Sequence, residues 1–421
     1  MSERYHAAPR MKTGPRRARE TGLQSRPVSA TFPSGPTGQN LNLRRQPMTI
    51  PFNYLRVRVR VASIVDNYKA LCREGGETIA VVKADAYGHG LIPVAGALAA
   101  AGAKTFAVGT VDEAVALRDS GVPGRIISLL GPIDAEECQT LWAHDVIPFV
   151  HHPEQLQLLA DVARHMDASL GVALKCDTGM RRLGFTRKQA AEAARIISAC
   201  PGLHLAMLSS HLATADDPED VDYVAAQIQE FTAIRDLLRA SGLSFQSNLA
   251  NSAAILAHPE AHFDSRRAGI ALYGGNPFTG TSLAHLGQGL KPAMDVATRI
   301  VSVHDLAPGQ SISYGRTFTA PGSMRVAVVA AGYADAYSRN LSNSGFMLLD
   351  GARVPVCGRV CMQLTAVDVS EVPTPRPGDE ILLLGGQGEE AITPDDLAEW
   401  WGSISYEPLC LLGLNPREYV D

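Results

Sequence analysis

From Val57 onward, short runs of β-branched apolar residues alternate with longer segments rich in Ala, Leu and charged residues, whose apolar positions recur with a helical period. That alternation is the signature of βα units building a parallel sheet. It predicts eight strands, at residues 78–83, 105–108, 125–130, 146–150, 170–176, 204–211, 245–249 and 267–272. Eight parallel strands within about 220 residues fit a closed (β/α)8 TIM-type barrel, an α/β fold, better than an open doubly wound sheet. Beyond about residue 290 the texture changes: Gly/Pro turns separate apolar runs at 324–330, 346–349, 364–369 and 380–384, with one helical segment near 394–401. This predicts a mostly-β second domain. The expected division is a tail at 1–48, a barrel at 57–289 and a β domain at 290–421, with residues 49–56 joining the β domain.

Composition narrows the picture. Of 421 residues, 46% are hydrophobic and 19% charged, which excludes a wholly disordered or fibrous chain. The net charge of −5 hides an asymmetry, because residues 1–48 carry nine Lys/Arg against two acidic residues. The rest of the chain is acidic, unsuited to a large nucleic-acid footprint. The tail is rich in Arg, Pro, Ser, Gly and Thr without periodicity and reads as disordered; translation starting at Met48 is the other reading. The longest strongly apolar run, residues 91–103, falls short of the ~20 residues that span a bilayer and reads as a buried helix. Seven cysteines without a CxxC or metal-ligand spacing suggest neither a disulfide framework nor a metal site, and fit a reducing cytoplasm.

In a barrel, reactive groups sit where strands run into βα loops. Lys83 ends an apolar strand and precedes a Gly-rich turn, where burial draws an amine below its usual pKa and makes it nucleophilic. Asn251-Ser252 follows the seventh strand, and Arg267-Ala268-Gly269-Ile270 opens the eighth, a region where barrels hold phosphate. Taken singly, Lys83 and Arg267 read as solvated surface residues, Asn251-Ser252 as a helix cap and Met362 as core.

Taken together, seven segments resemble the alanine racemase family in order and spacing: Val82-Lys83-Ala84-Asp85-Ala86-Tyr87-Gly88-His89-Gly90, Lys175-Cys176-Asp177-Thr178-Gly179-Met180, His211-Leu212-Ala213-Thr214-Ala215-Asp216, Ala250-Asn251-Ser252-Ala253-Ala254, Arg267 through Gly274, Ser313-Tyr314-Gly315 and Gly332-Tyr333-Ala334-Asp335. The resemblance covers roughly residues 50–421. It implies a homodimeric pyridoxal 5'-phosphate (PLP) enzyme that interconverts L- and D-alanine, supplying D-alanine for peptidoglycan or degrading it. Lys83 would hold PLP and act as one base, and Tyr314, reaching across the dimer, as the other. Arg267 would face the cofactor ring nitrogen, and His211 would belong with Arg267 to the network that favours the Tyr314 phenolate. Tyr87, Ser252, Gly269, Ile270 and Tyr406 would surround the phosphate. Arg182 would bind the substrate carboxylate, with Lys175 as a lysine often carbamylated beside it. Met362 would contact substrate from the partner subunit, and Tyr333 and Arg339 would line the approach to the site.

Four features depart from the family pattern: Gln363 stands where Asp is usual, Asn248 where His is common, Arg181 where Gly often follows the Met, and the ending 412–417 is atypical. They leave room for a broader amino-acid or serine racemase. A fold-related PLP decarboxylase is opposed by Arg267, and a non-enzymatic PLP carrier by the second domain and its Tyr314. No membrane or nucleic-acid partner is expected.

Overall fold

A computed structural model describes residues 53–72, 76–166 and 169–421. The expected basic tail, and with it the Met48 start, lies outside the described residues.

The first strand, β1 (Arg56–Arg60), shows why its sequence alternates. Val57 and Val59 are fully buried, while Arg56, Arg58 and Arg60 point outward. Arg58 makes a two-pronged contact with Glu380 at 2.7 and 2.6 Å, and Arg60 reaches Asp295. The strand belongs to the C-terminal sheet: it pairs antiparallel with β10 (Met294–Leu306) and parallel with β18 (Arg417–Val420). Residues 57–60, expected in the barrel segment, are therefore sheet.

Eight parallel strands follow and close into a barrel: β2 (Glu77–Val81), β3 (Thr105–Val108), β4 (Arg125–Ser128), β5 (Val146–Val150), β6 (Leu170–Lys175), β7 (Leu203–Ser209), β8 (Gln246–Asn248) and β9 (Ser265–Ala268). Helices cover one face of the strands and interior side chains fill the other, so strands such as β3 and β6 are buried at every residue. This is why their sequences read as continuous apolar runs.

The eighth strand departs from expectation. It occupies Ser265–Ala268 rather than 267–272, and Ile270–Tyr273 winds into a 3-10 turn. Gly269, at φ −116° and ψ −106°, breaks the extended backbone. The apolar residues 270–272 resemble a strand but are turn, whereas the true strand carries two buried arginines, Arg266 and Arg267. β2 also stops at Val81, two residues before Lys83.

The second domain is a sheet in the order β15-β14-β17-β10-β1-β18, with β13 and β16 continuing from β10. Its further strands are β11 (Ser311–Ile312), β12 (Phe318–Thr319), β13 (Met324–Val329), β14 (Phe346–Leu349), β15 (Ala352–Pro355), β16 (Thr365–Asp368) and β17 (Glu380–Leu384). The helix Pro394–Trp401 starts in a capping box between Thr393 and Asp396. Not anticipated were the long β10 and the helix Tyr406–Leu412, which delivers Tyr406 to the barrel mouth.

Candidate active site

The C-terminal ends of the barrel strands surround a cavity of about 770 Å³. Four basic side chains line it, Lys83, Lys175, Arg182 and Arg267, against one carboxylate, Glu113. Glu113 is already engaged, accepting the backbone N–H groups of Asp85 at 3.1 Å and Gly109 at 2.7 Å. The cavity is electrostatically built for a ligand with anionic groups.

Lys83 opens a turn with an unusual backbone. Ala84, Asp85, Ala86 and Tyr87 all have φ of 53–54°, a left-handed helical turn without glycine. Each such residue costs about 1–2 kcal/mol relative to right-handed geometry, so surrounding contacts must over-determine the turn. His89 supplies one of them: its Nδ1 donates to the carbonyls of Ala86 at 3.1 Å and Tyr87 at 2.9 Å. Burial pushes the His89 pKa down to about 4, which keeps the ring neutral and fixes the proton on Nδ1. Its ring stacks on Tyr273 at 4.6 Å, Tyr273 on Tyr87 at 4.8 Å, and Tyr273 donates to the carbonyl of Val81 at 2.9 Å. The Lys83 side chain stands open to the cavity but is enclosed by protein. That enclosure, then the Arg182 and Arg267 charges, lowers its pKa.

Arg267, a surface residue when read alone, is buried. Its guanidinium donates to Ser209 Oγ at 2.8 Å, the Ser210 carbonyl at 2.7 Å, His211 Nδ1 at 3.0 Å and the Leu249 carbonyl at 3.3 Å. All four acceptors are neutral. Burial draws Arg267 down to about 10, still cationic at pH 7. His211, accepting from Arg267, is held well below its ordinary pKa by burial and then by the Arg267 charge. It is neutral, so Arg267 is the cation of that pair. Asn248 lies behind them, accepting from Ser209 at 3.4 Å and donating to Ser265 at 3.0 Å.

The expected phosphate residues converge on one side of the cavity. Ser252 Oγ accepts the N–H of Gly269 at 2.9 Å, and the Tyr87 and Tyr406 rings lie 5.8 Å apart. A Cβ on Gly269 would stand 2.8 Å from Tyr87 Oη, so the close approach of that backbone requires glycine. Ile270 completes this wall. Burial pushes the Tyr406 phenol up to about 12, and Tyr87 is also raised by burial, so both are neutral hydroxyls.

Lys175, at the end of β6, is 9% exposed and donates to the carbonyl of Cys176 at 3.2 Å. Burial, followed by the Arg267 charge, lowers its pKa to about 7. The buried amine thus resists protonation below its ordinary range, and folding carries a penalty that is full below about pH 7 and relieved as pH rises toward about 10.5. Lys175→Met in CO2-free buffer should raise the melting temperature by about 3 °C or more at pH 6, with a smaller gain at pH 9.5. Thermal scans across that range check it; an equal shift at both pH values contradicts the buried-charge account.

Tyr314 and Met362 are not brought to Lys83 within one chain. They are 70% and 58% exposed on the β domain. Their loops are joined: Ser313 Oγ donates to the Arg359 carbonyl at 2.6 Å, Tyr333 N–H to Cys361 at 3.0 Å and Ala334 N–H to Met362 at 2.8 Å. Tyr333 and Leu364 extend the same uncovered face. Met362, which reads as core in isolation, is thus a surface residue. Glu113 was not singled out, although Thr110-Val111-Asp112-Glu113 carries the spacing of the capping box it forms.

Fold and cavity together define a (β/α)8 barrel with a pocket lined by basic side chains and an appended β domain. Family models described as the N-terminal and C-terminal domains of alanine racemase match residues 59–277 and 293–419. An alanine racemase of Nitratidesulfovibrio vulgaris (strain Miyazaki F) is 53% identical over 374 residues, covering 89% of this chain and all of that protein. One from Lawsonia intracellularis is 38% identical, covering 85% of this chain and 95% of its own length. The structure of alanine racemase from Streptomyces coelicolor A3(2) superposes with a TM-score of 0.82 at 34% identity, covering 88% and 99% of the two chains. That of the biosynthetic alanine racemase from Pseudomonas aeruginosa gives 0.79 at 34%, covering 88% and 100%. The chain belongs to the alanine racemase family.

Proposed function

We propose that the protein is a PLP-dependent racemase that interconverts L- and D-alanine using two bases, Lys83 and Tyr314. The observation that carries this reading is the lysine turn itself: an amine with a lowered pKa stands in one cavity with Arg267 and the Ser252–Gly269 wall. The cavity fits the cofactor, because four basic side chains face one engaged carboxylate and the Gly269 backbone lies too close to Tyr87 for a side chain. Tyr87, Ser252, Gly269, Ile270 and Tyr406 would hold the phosphate, Arg267 would face the ring nitrogen and Lys83 would carry the cofactor. When bound, PLP supplies the electron sink that makes an amino-acid α-proton removable.

The remaining steps belong to this chain's residues. Inverting a stereocentre by removing and returning a proton requires a base on each face of the carbon. Lys83 takes the proton from the D-isomer at Nζ. Tyr314, supplied by a second copy, takes it from the L-isomer at Oη. Arg182 binds the substrate carboxylate. Arg267, cationic at pH 7, would donate to the ring nitrogen and so keep it unprotonated, which would weaken the electron sink and limit side reactions. An amine that is partly neutral at pH 7 is the form that reacts with CO2, so the environment of Lys175 suits carbamylation, which would replace repulsion of Arg182 by attraction. The exposed face around Tyr314, Tyr333 and Met362 supports a homodimer. Among the described residues no helix is long and apolar enough to cross a membrane. A cytoplasmic enzyme supplying or degrading D-alanine fits these features.

The direct test is PLP-loaded protein incubated with a panel of L-amino acids and assayed by chiral chromatography. D-alanine should form fastest, approaching an equal mixture of isomers. Faster turnover of serine or lysine would overturn the substrate assignment.

A further inference from the structure

The turn that carries Lys83 is gripped from the C-terminal sheet. Arg417, the first residue of β18, forms an ion pair with Asp85 Oδ2 and donates to the carbonyl oxygen of Gly88 at 3.1 Å. The other Asp85 oxygen accepts the N–H of Leu91 at 2.7 Å, at the start of the helix Leu91–Ala100. Beside them the Gly88 backbone lies against the helix Tyr406–Leu412. A Cβ on Gly88 would stand 2.4 Å from the Leu409 carbonyl oxygen, and one on Gly413 would stand 2.2 Å from the Gly88 oxygen. Arg417 itself is anchored, because β18 pairs in parallel with β1 inside the sheet.

These contacts act on a backbone that would not hold its shape alone. A left-handed turn of four non-glycine residues persists only where neighbours over-determine it. A single guanidinium nitrogen of Arg417, Nη1, carries both contacts, its two N–H bonds reaching a carboxylate and a carbonyl at once. The Arg417 and Asp85 side chains are 25% and 46% exposed, so the pair adds little to global stability. Its effect falls on where the turn sits, and therefore on where Lys83 stands relative to Arg267 and Gly269.

We propose that Arg417 is a positioning residue for the active-site lysine: through Asp85 and the Gly88 carbonyl, the C-terminal sheet holds the left-handed turn that presents Lys83. The proposal rests on the role given to Lys83 above and extends the active site to a strand that lines no part of the cavity.

The test compares R417Q, D85N, the double variant and the conservative R417K, with R325Q, which removes only an exposed pair to Asp305, as control. In the PLP-loaded enzyme R417Q should lower kcat for alanine about tenfold or more while KM changes less than about threefold. R417K should recover most of the loss, and the double variant should be no slower than R417Q, because both changes break one contact. In the cofactor-free protein, amide exchange across residues 83–90 should accelerate in R417Q while the barrel strands keep their protection. Wild-type kcat and exchange in a folded R417Q overturn the proposal. So does a uniform rise in exchange across both domains with kcat per loaded site unchanged, the mark of a merely structural role. Should R417Q fail to fold, D85N and R417K carry the same comparison. The exchange measurement needs neither substrate nor cofactor, so a wild-type protein that failed to racemise alanine would sink the proposed function and leave this result readable.

Discussion

Lys83→Ala is expected to abolish racemisation in both directions, with a loss of more than about 10³-fold. Removal of a positioned acid/base group alone accounts for about 10²–10⁴, and this amine also carries the cofactor in the proposed scheme. The effect should be chemical, not structural, because the lysine side chain stands open to the cavity and the left-handed turn is held by Glu113, His89 and Arg417. Borohydride treatment followed by peptide mass spectrometry should fix PLP on the peptide containing residue 83 in the wild type and leave that peptide unmodified in the variant. Residual activity above about a tenth of wild type would remove Lys83 from the centre of the mechanism.

Tyr314→Phe should lower kcat by about 10²–10⁴-fold, roughly 3–5 kcal/mol of barrier. Cofactor binding should survive, and the melting temperature should barely move, because an exposed hydroxyl contributes little to folding. The C2-deuterium isotope effect should grow for L-alanine, the isomer from which Tyr314 removes the proton. The placement of Tyr314 gives a sharper readout. If it serves the partner's cavity, mixing Lys83→Ala and Tyr314→Phe chains creates heterodimers with one intact site, and roughly a quarter of wild-type activity returns after random reassociation. A mixture as inactive as its components would rule out the cross-subunit arrangement.

Periodicity made the barrel legible because strands buried on both faces are continuously apolar, and β3 and β5 match the expected ranges residue for residue. The same signal misplaced the eighth strand. There the extended residues include two buried arginines, Arg266 and Arg267, and the apolar run beyond Gly269 serves a turn. Lys83 was legible as a lone cation after an apolar strand, but its left-handed turn was not, because no glycine marks the four residues that adopt it. Arg267 taken singly looked solvated, since pairwise spacing says nothing of the four neutral acceptors drawn from β7 and the ends of β7 and β8. The Arg417–Asp85 contact joins positions 332 residues apart, a separation at which no local pattern operates.

The place of β1 in the sheet has a consequence during synthesis. Its neighbour β10 follows by more than two hundred residues, with the whole barrel between them. At a translation rate of about 5–20 residues per second, β1 waits roughly 10–50 s with both edges unpaired. A waiting strand of alternating valines is a template for pairing with other nascent chains, and charge is a common defence against such pairing. Arg56, Arg58 and Arg60, which later meet Glu418, Glu380 and Asp295, give β1 that charge at every second position. The side chains that join the finished sheet thus also put charge on the strand while its edges wait, the arrangement expected to oppose pairing between nascent chains.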